Sequence, residues 1–582
     1  MTPTRKTALV RSATLGAFLG AALASGSVYA TTYHVATAGS DNGDGLTQAT
    51  AWFTIGRAQR TVKAGDTVMV HGGTYAFTNA NAPTLIGGEF TTSGTAAAMI
   101  TYTAVAGEPV PLLDLSNVTA TGRVTGLDVH CNFVHIIGLE VMGVHQFMSG
   151  QDSWGVRIQG SNNTLERLNV HNNDAPGVFI TSGANNLILN CDSHNNYDVL
   201  EGGGSGDGFG CHSSGGNNIL RGCRSYDNSD DGFDFINAAG PCIVQNSYSF
   251  RNGFVPGTTT AAGNGAGFKA GGYGSPPVVP ATGAATHTVE NCVSSGNRAE
   301  GFYANHHPGT INFYNNTAFN NPANYNMQAD AGFPSSHVIR NNIAMTPGSS
   351  ISNLSGGTDT FNSWTLSVTV SAADFMSMDI NGLALAPRAA DGSIPNNAFM
   401  RLVAGSDMID KGTDVGLPFV GAAPDLGAFE FGAVTGSGGA SGSGGATGAG
   451  GMTGGGAGGA RAGTGGMTGG GAGGTTGGGA GGSTVTGAGG TTGGGAGGST
   501  GTGAGGATGG GAGGSTVAGT GGSRTGGAGA SGGEAGATGG GETGGASGGC
   551  ACAMAGTGGG AAGSLAGVLL ALVALRGRRR RG

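Results

Sequence analysis

The sequence predicts an all-β chain wound as a parallel β-helix. Three observations predict it. An asparagine closes each of six short β-type runs, a glycine followed by valine or phenylalanine recurs between them, and neither register carries helical periodicity. The runs "RLNVHNN", "NCDSHNN", "GCRSYDN", "NSYSFRN", "NCVSSGN" and "NNTAFNN" end at Asn173, Asn196, Asn228, Asn252, Asn297 and Asn321, so the steps are 23, 32, 24, 45 and 24 residues. The second register is "GVRI", "GVFI", "GFGC", "GFDF", "GFKA" and "GFYA", opening at Gly155, Gly177, Gly208, Gly232, Gly267 and Gly301. Coils that repeat one strand and one turn stack at ~4.8 Å and bury the apolar residues of each rung in a common core. The asparagine column reads as a ladder at a turn, where asparagine accepts positive φ and hydrogen-bonds along the stack.

The chain of 582 residues divides by composition. Residues 1–30 read as an export signal. Arg5, Lys6 and Arg11 precede an apolar run from Ala13 to Ala24, and Val28-Tyr29-Ala30 offers a small-residue cleavage site. The run is shorter than the ~20 residues that span a bilayer. Residues 31–432 form the working domain. Residues 433–549 are almost all Gly, Ala, Ser and Thr, with "TGGGAGG" recurring, and predict a disordered, flexible linker. Residues 550–582 combine "CACAMAG", an apolar stretch from Ala561 to Leu575, and "RGRRRRG". This tail resembles the C-terminal surface-sorting segments of myxobacteria. The expectation is a monomer that is secreted or attached to the cell surface through a processed tail.

Charge is concentrated in the domain. Fifteen of the 25 Lys and Arg and 31 of the 33 Asp and Glu lie within 31–432, a net charge near −16. Such a field does not attract nucleic acid, and an acidic polymer would need a cation to mediate.

Against that background "NSDDGFDF" places Asp230, Asp231 and Asp234 within five residues. Aligning the glycines puts Asp207 and Asp231, each just before its glycine, on adjacent rungs. Asp230 lies beside them and Asp234 emerges two positions after Gly232. Four carboxylates so close repel unless protonated or neutralised. Oxygen ligands without His or Cys favour calcium. Separate solvated turn aspartates are the alternative, and they leave the stacking of Asp207 on Asp231 unexplained. The residues after each Gly-Val or Gly-Phe pair form one outward column of Arg157, Phe179, Gly210, Asp234, Lys269 and Tyr303. Lys269 is one of three lysines in the domain, with Lys63 and Lys411. It reads either as a salt-bridge partner of Asp234 or as a base whose pKa a nearby cation and burial push down.

Cys191 and Cys223 share a column on adjacent rungs, with Cys292 two rungs on. They could form a disulfide in an exported protein or stay as buried thiols. No cysteine spacing suggests zinc.

"GDGFG", "NSDDGFDF" and "GAGFKAGG" resemble family 9 polysaccharide lyases, the pectate lyase group built on a right-handed β-helix. The opening from "TYHVATAGSDNGDG" to "GDTVMVHGGTY" looks like that group's N-terminal capping region, 31–100. "DGSIPNNAFMRLVAGSDMIDKGTDVGLP" through "DLGAFEFG" looks like its C-terminal closure, within 360–432. The resemblance implies calcium held by Asp207, Asp230, Asp231 and Asp234, and Lys269 as the Brønsted base. It implies β-elimination on an acidic polysaccharide, polygalacturonate foremost. Arg298, Tyr303 and Asn305 fall on the next rung, where substrate or structural roles are both open, and no substrate-binding residue is assigned. The other readings are a lyase for another uronan such as alginate or a glycosaminoglycan, a glycoside hydrolase using Asp230 and Asp231, and a non-catalytic surface adhesin that binds carbohydrate.

Overall fold

The computed structural model describes residues 30–119, 122–212, 215–333 and 335–433. The export signal, the linker beyond Ala433 and the sorting tail lie outside the described residues. Among the described residues the strands form three all-parallel sheets of 12, 10 and 10 strands. Each rung visits them in one order. Leu187–Leu189 lies in the first sheet, Asp192–His194 in the second and Phe209–Cys211 in the third, and the next rung repeats this with Asn218–Arg221, Arg224–Tyr226 and Phe233–Asp234. The expected β-helix is present.

The core is the interior of this coil. Inward residues of the third sheet change along the axis from Val156 and Val178 to Phe209, Phe233, Phe268, Phe302 and Tyr325, all buried. The five rings stack with centroids 4.7–5.0 Å apart and planes within 13°. That separation is the strand spacing itself, so identical residues on successive rungs stack without adjustment.

The asparagine column is a buried ladder. Each Nδ2 donates to the Oδ1 of the next asparagine, from Asn173 through Asn196, Asn228, Asn252 and Asn297 to Asn321, at 2.9–3.1 Å. The same oxygens accept the backbone N–H of the preceding rung's asparagine. The expected positive φ falls one residue earlier, on Asn172, Asn195, Asp227, Arg251, Gly296 and Asn320. The preceding residue makes the left-handed turn, which leaves the ladder side chain pointing into the coil.

The glycines of the second register have a steric cause. A Cβ on Gly177, Gly208, Gly232 or Gly267 would run into the hydroxyl of Ser193, Ser225, Ser249 or Ser294. These serines lie three residues before the ladder asparagines and are fully buried. Serine, asparagine and glycine thus interlock at the corner between the second and third sheets.

Residues 31–100 already contribute strands to all three sheets. Their short helix, Ile55–Gln59, is capped by the Thr54 side chain, which accepts from Arg57 N, and buries Ile55 and Ala58 in the core. Residues 360–432 begin against the C-terminal rungs, where Trp364 packs on Tyr325 with ring centroids 5.0 Å apart. They run back along the outer face of the second sheet, where Phe375, Phe399, Met400, Leu402 and Leu426 pack with Tyr248, Phe250, Val293, Phe319 and Ile343. Arg388 from this segment reaches Asp192 at 2.6 Å and the carbonyl of Cys191 at 2.9 Å.

Cys191, Cys223 and Cys292 are buried free thiols, and the disulfide joins Cys211 to Cys242 instead. Cys191 and Cys223 lie in turns, and their thiols point at the carbonyls that end the preceding strands, Leu189 and Arg221. The disulfide ties the end of the third-sheet strand Phe209–Cys211 to the start of the first-sheet strand Cys242–Gln245.

Replacing Asn252 by Ala removes the bonds its side-chain amide donates to Asn297, Ser249 and Ser225 and strands the amides of Asn228 that its Oδ1 accepts. The expected loss is about 2–4 kcal/mol in urea unfolding. A loss below about 0.5 kcal/mol would show that the ladder does not hold the rungs in register.

Candidate active site

The interlocked corner decides where the acidic residues point. Gly208 and Gly232 turn inward against the serines, so the residue before each, Asp207 and Asp231, faces out. Phe209 and Phe233 then enter the core and Asp234 emerges on the outer face of the third sheet. The register stacks Gly210, Asp234, Lys269 and Tyr303 on successive rungs.

Backbone donors hold the carboxylates. Asp207 Oδ1 accepts from Asp231 N at 3.0 Å, Asp231 Oδ1 from Ala266 N at 2.6 Å, and Asp234 Oδ1 from Ile236 N at 2.7 Å. Asp230 Oδ1 accepts from Asn264 N. One oxygen each from Asp207, Asp230 and Asp231 lies within 4.8 Å of the others. Lys269 Nζ sits 3.0 Å from Asp231 Oδ2 and 3.2 Å from Asp234 Oδ2, and hydrogen-bonds to the second of these. All five side chains are buried.

Of the five residues expected in the site, Asp207, Asp230 and Asp231 form one acidic group. Asp234 lies outside that group of three and pairs with Lys269 and with His212, whose Nε2 is 3.6 Å away. His212 was not anticipated. The signal was present in "GFGCH", where His212 follows Gly210 of the same outward column by two residues. Its ring also meets Phe179 edge-on at 5.0 Å. Arg298 and Asn305 hold loops. Arg298 donates to the carbonyls of Gly263 and Asn264 at 2.6 Å, fixing the segment that offers Asn264 N to Asp230, and Asn305 donates to Gly271 O at 2.8 Å. Tyr303 stands one rung beyond Lys269, partly exposed.

Burial raises the pKa of Asp207, Asp230 and Asp231, and repulsion within the acidic cluster adds to it, with Lys269 opposing. Burial also pushes Asp234 up, but Lys269 and His212 outweigh it and hold this carboxyl at about 2. For Lys269, burial alone lowers the pKa, and the four carboxylates reverse the sign and raise it well above that of a free lysine. The expected depression of the lysine is therefore not a property of the bare cluster. The donor set is all oxygen, buried and convergent, and Asp231 Oδ2 has no hydrogen bond of its own. Such a set fits a hard divalent cation.

The comparisons with known proteins agree with this architecture. Residues 33–342 match the Pel9A-like, right-handed β-helix region family, and the chain belongs to it. Pectate lyase L of Dickeya dadantii (strain 3937) is 35% identical over 280 residues, which are 47% of this chain and 63% of that protein. The chain thus spans under two thirds of that relative's length. Among solved structures, a rhamnogalacturonan lyase matches with a TM-score of 0.60 at 34% identity, over 64% of this chain and 97% of that one. The pectate lyase Pel9A matches with a TM-score of 0.58 at 30% identity, over 69% and 96%.

The raised carboxyl pKa values have a measurable sign. In the metal-free protein these aspartates bind protons above the ordinary carboxylate range, so a cation entering the cluster must displace them. Calcium titration at mildly acidic pH should release protons, and the aspartates' share of that release should shrink as pH rises through their raised pKa values, so that release persisting above them belongs to Lys269. Calorimetry in two buffers of different ionisation heat reads this directly. Asp231→Asn should weaken binding and reduce the release. Calcium binding with no proton release at any pH would mean that the aspartates are already ionised.

Proposed function

We propose that the chain is a polysaccharide lyase that cleaves polygalacturonate by β-elimination, with calcium held by Asp207, Asp230, Asp231 and Asp234 and with Lys269 as Brønsted base. The observation that carries the reading is the position of Lys269 Nζ between Asp231 and Asp234, one rung beyond the buried acidic group, in a family whose compared members carry lyase names.

When bound, calcium supplies positive charge that draws electron density from the substrate carboxylate and makes the proton at carbon 5 more acidic. The chain's own residues do the rest. Lys269 as free amine accepts that proton at Nζ, the electron pair left at carbon 5 forms the double bond to carbon 4, and the glycosidic oxygen leaves with the C4–O bonding pair and takes a proton from water. Asp231 and Asp234 hold Nζ in place. The charges that keep Lys269 protonated in the bare cluster are the same charges that ligate a cation, so cation loading and loss of the lysine proton are coupled. Burial of all five side chains keeps bulk water away from the amine.

The rhamnogalacturonan lyase match supports a second reading of the substrate, an alternating backbone in which only some sugars carry carboxylates. Export to the medium or cell surface is part of the proposal and rests on the patterns of 1–30 and 550–582. The Cys211–Cys242 disulfide suits an oxidising compartment.

Incubation with polygalacturonate, rhamnogalacturonan, alginate and a glycosaminoglycan should give an ultraviolet-absorbing unsaturated end, first of all from polygalacturonate. The signal should vanish with a chelator and return with calcium. New reducing ends without that absorbance would favour hydrolysis, and no cleavage of any uronan would favour the adhesin.

Lys269→Ala should keep calcium binding while turnover falls by ~10²–10⁴ or more. Lys269→Arg should not restore turnover at neutral pH, because guanidinium stays protonated. Near-parental turnover of Lys269→Ala would transfer the role of base to another group.

A further inference from the structure

The outward column that carries Asp234 and Lys269 continues toward the N-terminus through Gly210 and Phe179 to Arg157. Arg157 lies three rungs from Asp234, roughly 14 Å along the axis at strand spacing. Its guanidinium carbon stands 4.4 Å from the centroid of the Trp154 ring, and that of Arg123 stands 5.2 Å from the same ring. Two like charges therefore share one indole.

Their charge is poorly compensated. The carboxylate facing Arg157 is Asp128, at 3.9 Å, and Asp128 also stands 3.1 Å from His130 and accepts from Gln159. Among the described residues no carboxylate pairs with Arg123, which is exposed. A quarter of the Arg157 side chain is exposed, while Trp154 is buried and gives both arginines a fixed backing. In a domain near −16, carboxylates are abundant enough to neutralise any cation that merely needs a partner. Here two cations are kept together with one carboxylate, Asp128, which is itself shared with His130, on the face that leads to the acidic cluster. Burial and the neighbouring Arg123 lower the Arg157 pKa and Asp128 raises it, and a guanidinium stays charged throughout.

We propose that Arg123 and Arg157, backed by Trp154, form a distal subsite for the carboxylate of a uronic acid unit in a polymer lying along the third sheet. The identity of that polymer rests on the lyase reading above. Guanidinium groups match carboxylate geometry, and the gap of three rungs spans roughly three or four sugar units. The subsite engages long chains and leaves short ones untouched. It adds binding energy remote from the bond that breaks, so it governs KM for long substrates.

The test uses oligogalacturonates of three and eight units with the full chain. For Arg123→Gln/Arg157→Gln the ratio of KM for the octamer to KM for the trimer should rise about five- to thirty-fold. Arg123→Gln alone, at an exposed position, should give part of that rise without any change in melting temperature, and Arg157→Lys should restore part of it. Equal KM shifts at both lengths would overturn the subsite. A second measurement separates it from the catalytic reading. Octamer binding to the Lys269→Ala protein, followed by calorimetry, should weaken by the same factor when the arginines are removed. If the parent cleaves no uronan but this arginine-dependent binding persists, the subsite stands and the lyase reading falls. If cleavage occurs and octamer binding ignores the arginines, the reverse holds.

Discussion

The site depends on one steric constraint, the side-chain-free corner between the second and third sheets. Serine hydroxyls and asparagine amides fill the inside of each corner so closely that only glycine fits opposite them. With the glycine fixed, the residue before it must face outward and the residue after it must enter the core. Asp207 and Asp231 occupy the first position on adjacent rungs, and Phe209 and Phe233 the second. The buried hydrogen-bonded ladder makes slippage between rungs costly, because a one-residue shift would leave amide donors and acceptors unpaired in the interior. Rigidity built for packing thereby becomes precision in the placement of charge.

That precision holds an arrangement that is unfavourable by itself. Four buried carboxylates within two rungs cannot all ionise in the absence of compensating charge, and the single lysine compensates only part of it. Lys269 divides its attention between Asp231 and Asp234, and His212 supports Asp234 from the other side. The result is a polarised cluster. Asp234 is held ionised at about 2, while Asp207, Asp230 and Asp231 retain a high affinity for protons. A cluster with this imbalance has a built-in demand for positive charge. A divalent cation meets it with oxygen ligands already converged, and protons meet it at low pH.

Much of this was legible in the sequence because a parallel coil turns sequence period into spatial register. The alignment of Gly208 on Gly232 and Gly267 places Gly210, Asp234 and Lys269 in one column without further information. Features that depend on the path between registers were not legible. The positive φ belongs to Asn195 and Asp227 and not to the ladder residues beside them, a matter of which of two neighbours makes the turn. Cys211 ends one rung in the third sheet and Cys242 opens the second rung after it in the first sheet, so no column contains both. The run 360–432 has no rung period, and nothing local says that it doubles back to cover the second sheet. His212 lies two residues beyond Gly210 and outside the column, so alignment of the glycines does not by itself place it beside Asp234.

The path of residues 360–432 bears on where a polymer could lie. Tyr248, Phe250, Val293 and Phe319 would form an apolar stripe on the second sheet if left bare, and this segment buries them. Its arginine, Arg388, neutralises Asp192 on the same side. The second sheet is thus satisfied internally, by packing and by paired charge. The third sheet is treated oppositely. Its outer face keeps charge only partly compensated: Asp231 and Asp234 share the one amine of Lys269, Arg157 has Asp128 at 3.9 Å, and Arg123 has no carboxylate partner among the described residues. Stability alone would favour covering or neutralising both faces. The second sheet is both covered and neutralised, while on the third the carboxylates outnumber the one lysine among them and Arg123 has no carboxylate partner among the described residues, which favours the third sheet as the face for the proposed polymer.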